Sequence, residues 1–115
     1  MQHRDAIILK KIISEIDVAS EMIDSCSLES FLEDEKLKRA TSMTIINIGE
    51  LIKNVSDELR ATHSEVPWKA AAGLRDITAH KYQTLRMEDV YNTAVIELPA
   101  LKKQLQDILK SELKE

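Results

Sequence analysis

The residues best suited to chemistry lie in one short segment near the middle of the chain, Arg75 to Tyr82. Arg75 provides a permanently charged, planar fork that suits a phosphate group. His80 can take up or release a proton near neutral pH. Tyr82 carries a hydroxyl that can bind a ligand or be modified. Together these residue types indicate a site that holds a phosphate and transfers protons, while the remaining residues mostly build the scaffold.

The spacing within this segment restricts how its side chains can meet. On an ideal α-helix, Asp76 and His80 are neighbours four residues apart, so the carboxylate can orient the imidazole and favour its protonated form. Arg75 and His80 are five residues apart, about 140° around the axis, and do not converge on one straight helix. Two arrangements stay open: the helix ends near His80 and the connector folds back, or two copies of the segment meet across a dimer. Tyr82 then lies on the arginine's face or enters the same cleft.

A simpler interpretation of the segment is a solvated helix face on which Arg75 or His80 pairs with Asp76. An Arg-x4-His spacing is by itself a weak motif. Its setting strengthens it, because Pro67-Trp68 opens the helix and Gly73-Leu74 directly precedes the arginine.

The composition predicts an all-α protein. The chain has 115 residues, enough for a single domain over residues 1–115 with one hydrophobic core. Two glycines, two prolines and 3% aromatic residues argue against a sheet-rich core. Residues that favour helices dominate instead.

Charge and cysteine content narrow the class of protein further. The net charge of −4 counts against a general nucleic-acid coat protein, although a small phosphate site remains allowed. Cys26 is the single cysteine, so neither a disulfide framework nor a cysteine-based zinc site is expected. We see no signal peptide and no apolar run as long as a membrane span, so we expect a cytoplasmic protein without a membrane partner.

Hydrophobic periodicity predicts an up-and-down bundle of four main helices plus a short one. The first runs from about Asp5 to Ser25, and Ser27 caps a short helix that carries Phe31 and Leu32. A second long helix covers about Asp34 to Ala61, and its Gly49 indicates close packing. The third starts at Pro67-Trp68 and fades near His80, and residues 81–85 connect it to the last helix. This begins at Met87-Glu88-Asp89, and Pro99 should kink it without ending it.

Other residues are less promising as site residues. His3 and His63 have no partner at metal-ligand spacing and are expected to be solvated. Trp68 should pack under the loop rather than stack on a base, and Lys102-Lys103 should lie on an exposed face. A direct role for Glu50 is less favoured than a packing role. No glycine-rich phosphate loop or metal-carboxylate cluster is present, so we expect no cofactor and no metal.

In these motifs the chain resembles the HEPN superfamily, and within it the HepT-like toxins of bacterial and archaeal toxin–antitoxin pairs. The resemblance runs almost from end to end. Two positions depart from the family pattern: the residue after the arginine, often asparagine in the family, is Asp76 here, and Lys81 replaces a common glycine. The residues that carry it are Arg4-Asp5, Ser27-Leu28-Glu29-Ser30-Phe31-Leu32, Ile48-Gly49-Glu50, Val66-Pro67-Trp68, Gly73-Leu74-Arg75-Asp76, His80-x-Tyr82 and Glu97-Leu98-Pro99-Ala100-Leu101.

The resemblance implies a HEPN-like bundle that dimerises with two Arg-x4-His segments facing each other, forming a composite ribonuclease cleft. It implies RNA cleavage without metal, with Arg75 on the phosphate, His80 as general base or acid, and Asp76 in a supporting role. In relatives the partner is a nucleotidyltransferase antitoxin, as in HepT/MntA-type pairs, which adds AMP to the tyrosine that matches Tyr82.

A rival hypothesis is a non-catalytic HEPN-like module that binds a partner or a nucleotide, which suits the acidic balance of the chain. The combination of Arg75, His80 and Tyr82 favours the toxin.

Overall fold

The computed structural model describes residues 1–76 and 86–113, and within these ranges all regular structure is helical. This confirms the all-α prediction. The elements in chain order are α1 (His3–Ile23), α2 (Leu28–Glu33), α3 (Glu35–Lys53), α4 (Asp57–Thr62), α5 (Trp68–Ala72), a 3₁₀ segment (Gly73–Asp76), α6 (Met87–Asn92), a π-helical segment (Thr93–Glu97) and α7 (Leu98–Leu113).

Helix α1 follows from apolar residues that recur every three or four positions. Its buried face turns toward α3 and α7 and consists of Ala6, Ile8, Leu9, Ile12, Ile16, Ala19 and Ile23 together with one acidic residue, Asp5. The helix ends at Ile23 because Asp24 leaves helical geometry and Ser25 adopts a left-handed conformation with φ 59°. The prediction of this helix is confirmed, with both ends shifted by two residues.

Two side-chain caps start α2 and α3, as their residue types suggest. The Oγ atom of Ser27 accepts a hydrogen bond from the Ser30 amide at 3.1 Å. The Asp34 carboxylate accepts one from the Leu37 amide at 3.0 Å. Each cap satisfies an amide that has no partner within its own helix. The Ser27 cap was predicted, and Asp34 proves to lie just before the long helix.

The predicted helix from Asp34 to Ala61 is wrong, because the structure divides it into α3 and α4. Ser56 is extended, with φ −65° and ψ 152°, and caps α4 by accepting from the Leu59 amide at 3.2 Å. The buried Asp5 carboxylate accepts hydrogen bonds from the Ser56 amide at 3.0 Å and from its hydroxyl at 2.5 Å. Arg60 donates back to the Ile52 carbonyl at 2.8 Å, at the end of α3. Long-range contacts of charged side chains therefore stabilise a break that the apolar period did not reveal.

Helical structure runs without a stop from α6 through the π-helical segment into α7, and Pro99 lies in the first turn of α7. A proline has no amide hydrogen and its ring collides with the carbonyl four residues earlier. The wider π-helical turn directly before Pro99 provides room for that ring. The structure thus confirms that Pro99 does not end this helix, and the departure from α-helical geometry lies in the π-helical segment before it.

The core lies between α1, α3 and α7, and α5 and α6 close it. Most apolar residues spaced along the inner face of the last helix are buried, including Val90, Ala94, Leu98 and Leu105, whereas Leu109 is half-buried. Ala40 follows the apolar spacing of α3 but is exposed. Within the described ranges, no helix combines the length and the apolar character that crossing a membrane requires.

Candidate active site

The loop before α5 is fixed by a buried tryptophan. Trp68 is 6% exposed, and its indole Nε1 donates to the His63 carbonyl at 2.9 Å. Val66 is buried beside it, and the Ala71 amide donates to the Pro67 carbonyl at 2.9 Å to form the first turn of α5. Trp68 is therefore a packing residue, as predicted, and it sets the direction in which the chain approaches Arg75.

The α-helical geometry of α5 ends at Ala72, well before the predicted end near His80. The chain tightens into the 3₁₀ segment Gly73–Asp76, which contains the backbone of Arg75. Successive residues of a 3₁₀ helix are about 120° apart, against about 100° in an α-helix. The step from Arg75 to Asp76 therefore follows 3₁₀ rather than α-helical geometry, and the predicted angle between Arg75 and His80 lies outside the described residues.

Packing holds this segment against the bundle. The 3₁₀ segment contacts α3 and α5, and the half-buried Leu74 packs on the core directly before Arg75. The packing of Leu74 thus holds the backbone of Arg75 and of the adjacent Asp76 close to the bundle.

The remaining predicted site residues, His80 and Tyr82, lie outside the described residues. Whether the connector folds back or two copies of the segment meet stays a prediction. So do the supporting role of Asp76 and the contact between Arg75 and His80.

The surface next to the segment is open. Gly73 is exposed, and a Cβ atom added to it would meet no atom of the described residues within 4 Å. A largely apolar cavity of about 260 Å³ lies between α5 and α7, with Leu74 and Ala70 on one side and Leu101 and Gln104 on the other. The cavity between α5 and α7, next to Leu74, therefore provides space for a ligand or a second chain.

The prediction that His63 is solvated is wrong. Its side chain is 13% exposed, and its Nε2 lies 2.8 Å from a carboxylate oxygen of Glu112 in the last turns of α7. Its Nδ1 lies 3.6 Å from Glu65. The hydrogen bond from His63 holds the pKa of Glu112 below its ordinary value, and the amino group of Met1, 3.1 Å away, acts in the same direction. The sequence carried no signal for a pair 49 residues apart, and the arrangement links the loop after α4 to α7.

The second tyrosine of the chain has a structural role. The Tyr91 hydroxyl donates to the Cys26 carbonyl at 2.6 Å, and its ring is tilted against Phe31 with the ring centroids 5.4 Å apart. Cys26 is half-buried in the turn between α1 and α2, and its thiol is free. Tyr91 is thus engaged within the fold, and it offers a natural comparison for Tyr82.

The remaining candidates divide between surface and scaffold. His3 is exposed, as predicted. Lys102 departs from the expected exposed pair because it is half-buried and its Nζ contacts Asp17 of α1 at 2.5 Å, whereas Lys103 is exposed. Across residues 1–76 and 86–113, no group of three or more histidine, cysteine or acidic side chains could hold a metal ion.

Comparison with known proteins connects this arrangement to ribonucleases. A family model described as Ribonuclease HepT-like matches residues 12–108. A protein named "Putative RNase" from Caldanaerobacter subterraneus is 38% identical over 104 residues, covering 90% of this chain and 93% of its own length. A protein named "Probable ribonuclease HepT" from Thermococcus cleftensis is 29% identical over 108 residues, covering 94% of this chain and 96% of its own. A "Putative RNase" from Methanocaldococcus jannaschii is 29% identical over 102 residues, or 89% and 88% of the two chains. No solved structure matches the chain.

Proposed function

The chain belongs to the ribonuclease HepT-like family, and we propose that it is a metal-independent endoribonuclease whose site is the segment Arg75 to Tyr82. The observation that carries this proposal is the family match over residues 12–108, which includes the whole segment. Arginine, histidine and tyrosine occur there within eight residues.

The proposed reaction requires only groups that this segment has. A base takes the proton of the 2′-hydroxyl, whose oxygen attacks the adjacent phosphorus, and the 5′-oxygen leaves with a proton. Arg75 neutralises the charge that develops on the phosphate oxygens, because a planar guanidinium can hold two of them at once. His80 transfers a proton, and Asp76 orients it. The products are a 2′,3′-cyclic phosphate and a 5′-hydroxyl, and DNA is spared because it lacks the attacking hydroxyl.

A homodimer, or a multiple of it, is part of the proposal. In the described backbone, Arg75 lies in a 3₁₀ segment that packs on α3, next to an open surface at Gly73. We propose that a second copy brings its own segment to this surface, so that Arg75 and His80 of both copies share one cleft. Light scattering should show a dimer or larger at micromolar concentration, and a stable monomer would contradict this.

The cleavage experiment separates the catalytic residues from the scaffold. Purified protein should cut RNA in the presence of EDTA, leave the matching DNA intact, and lose activity on Arg75→Ala or His80→Ala. Arg86→Ala is the matched control, because Arg86 is exposed and reaches only Glu88, at 3.7 Å, among the described residues. Full activity in either site variant would remove that residue from the mechanism. A requirement for a divalent metal would refute the scheme, and RNA binding without cleavage would favour the non-catalytic module.

We further propose that the protein is the toxin of a type VII toxin–antitoxin pair and that a MntA-like nucleotidyltransferase adds AMP to Tyr82. An AMP group next to His80 would place a bulky anion in the cleft, where it could occupy Arg75 and repel the phosphates of RNA. Tyr91 is a poor acceptor by comparison, since its hydroxyl already donates to a backbone carbonyl at 2.6 Å.

Incubation with ATP and the nucleotidyltransferase encoded beside this gene should add the mass of AMP to the peptide that contains Tyr82 and stop RNA cleavage. Tyr82→Phe should escape modification, whereas Tyr91→Phe should be modified like the wild type. Adenylylation mapped to Tyr91, or none with an active partner enzyme, would contradict the assignment and favour inhibition by simple binding.

A further inference from the structure

A cationic groove lies between the first half of α1 and the end of α3, in a part of the protein that the proposed chemistry does not use. It has a volume of about 500 Å³ and an open shape. None of the residues that line it is acidic. They are His3, Arg4, Ile7, Ile8 and Lys11 of α1, with Leu51 at the end of α3 and Asn54 just beyond it.

The two permanently charged side chains of this groove are Arg4 and Lys11. Neither side chain makes a hydrogen bond or an ion pair with another residue in the described ranges. Other cations are held by carboxylates: Lys38 lies 3.1 Å from Glu35, and Lys102 contacts Asp17. The chain has 20 acidic and 16 basic residues, so a groove lined by two cations and no acidic residue has the opposite sign to the chain as a whole.

The nearest carboxylates of α1 are engaged. Asp5 follows Arg4 in the chain, but it is buried and held by Ser56. Glu15, one turn beyond Lys11, accepts a hydrogen bond from Asn47 of α3 at 3.3 Å. Neither carboxylate forms an ion pair with Arg4 or Lys11, so both cationic side chains can contact a ligand from outside the chain.

The pattern along α1 fits an extended polyanion. Arg4 and Lys11 are seven residues apart, a rise of about 10 Å over two helical turns. Ile7 lies between them on the same face and is 42% exposed. Two point charges separated by an apolar side chain match a strand in which charged phosphates alternate with less polar sugars and bases. Because α3 forms the opposite wall and also packs against the 3₁₀ segment that contains Arg75, the groove and the proposed cleft share a rigid element.

We propose that this groove binds backbone phosphates of the RNA substrate away from the bond that is cut. The inference rests on the proposed ribonuclease function and adds the surface that holds the rest of the strand. Arg4 and Lys11 act as phosphate-binding residues that supply affinity and carry no base preference.

Binding of a short 2′-O-methylated RNA tests the proposal without interference from cleavage, because this probe lacks the attacking hydroxyl. Fluorescence anisotropy over a range of salt concentrations gives both the dissociation constant and its salt dependence. The variant is Arg4→Gln with Lys11→Gln. Its matched control is Lys103→Gln with Lys110→Gln, which removes the same net charge from two exposed lysines of α7.

Loss of two phosphate contacts should lower the slope of log K against log salt by about 1.4 for a single strand. The ratio of variant to wild-type dissociation constants should then shrink about sevenfold between about 50 and 200 mM salt. The control pair should keep the wild-type slope. The charge-preserving exchange Arg4→Lys with Lys11→Arg should bind like the wild type, and circular dichroism should show that each variant is folded.

Equal slopes in the groove variant and the control variant would overturn the proposal. Intact RNA binding combined with lost self-association, or with lost binding of the nucleotidyltransferase, would also overturn it and assign the groove to a protein contact. Neither result bears on the cleavage of unmodified RNA in EDTA, so the ribonuclease proposal stands or falls separately.

Discussion

Replacing Asp5 should destabilise the protein far more than replacing an ordinary helix cap. Asp5 is 2% exposed, and its two carboxylate oxygens accept from the amide and the hydroxyl of Ser56. Ser56 in turn caps α4 through the Leu59 amide. Asp5 of α1 therefore fixes the point at which α3 ends and α4 begins.

The size of the effect follows from these contacts. Hydrogen bonds to a charged group contribute about 1.5–3 kcal/mol each, and relief of the buried charge's desolvation offsets part of the loss. Asp5→Ala should then lower the free energy of unfolding by about 2–4 kcal/mol, a large share of the roughly 5–15 kcal/mol typical of a domain. The corresponding fall in Tm is roughly 10–20 °C. Asp5→Asn keeps an acceptor and should cost about 1–2 kcal/mol.

Urea and thermal unfolding, followed by circular dichroism, measure these values. Asp34→Ala is the control, because Asp34 is exposed and accepts one hydrogen bond, from the Leu37 amide; it should cost about 1 kcal/mol. A double-mutant cycle with Ser56→Ala should give a coupling energy of at least about 1 kcal/mol. If Asp5→Ala costs no more than Asp34→Ala, or if the cycle shows no coupling to Ser56, the reasoning is wrong.

Three further predictions concern single positions. Gly73→Ala should stabilise the fold by about 0.5–1 kcal/mol in urea unfolding, since the backbone there is right-handed and a Cβ would meet no atom of the described residues; a destabilised variant would show that the space beside Gly73 is occupied. Thr41→Val should be neutral or stabilising by about 1 kcal/mol in urea unfolding, because the buried Thr41 hydroxyl has no partner among the described residues; clear destabilisation would reveal a missed hydrogen bond. Glu112→Gln should be less stable than the wild type at neutral pH, and the difference in unfolding free energy should shrink as pH falls below about 4. The reason is that a carboxyl with a lowered pKa contributes stability above the ordinary glutamate pKa and loses it as pH falls through the lowered value. A difference that stays constant in unfolding measurements from neutral pH to about pH 3 would contradict this.

The sequence was sufficient for elements whose formation depends on neighbouring residues. The apolar repeat of α1 gave its buried face, and Ser27 gave the start of α2. Trp68 was correctly predicted to pack, and Pro99 was correctly predicted not to end its helix. In each case the deciding interaction lies within a few residues of the position concerned, or follows from the side chain's own apolar character.

Tertiary structure decided the features that depend on residues distant in the chain. The break between α3 and α4 requires Asp5 from 51 positions earlier, and the apolar period runs through that break unchanged. The hydrogen bond of His63 requires Glu112, 49 positions later, and the 3₁₀ segment that contains Arg75 is held by Leu74 on the core and by contacts with α3. The sequence alone provided the residue types and the spacing of Arg75, His80 and Tyr82. Whether these side chains converge could not be read from the sequence, because spacing fixes distances along the chain, whereas contacts between elements are set by which faces pack and which charges are buried together.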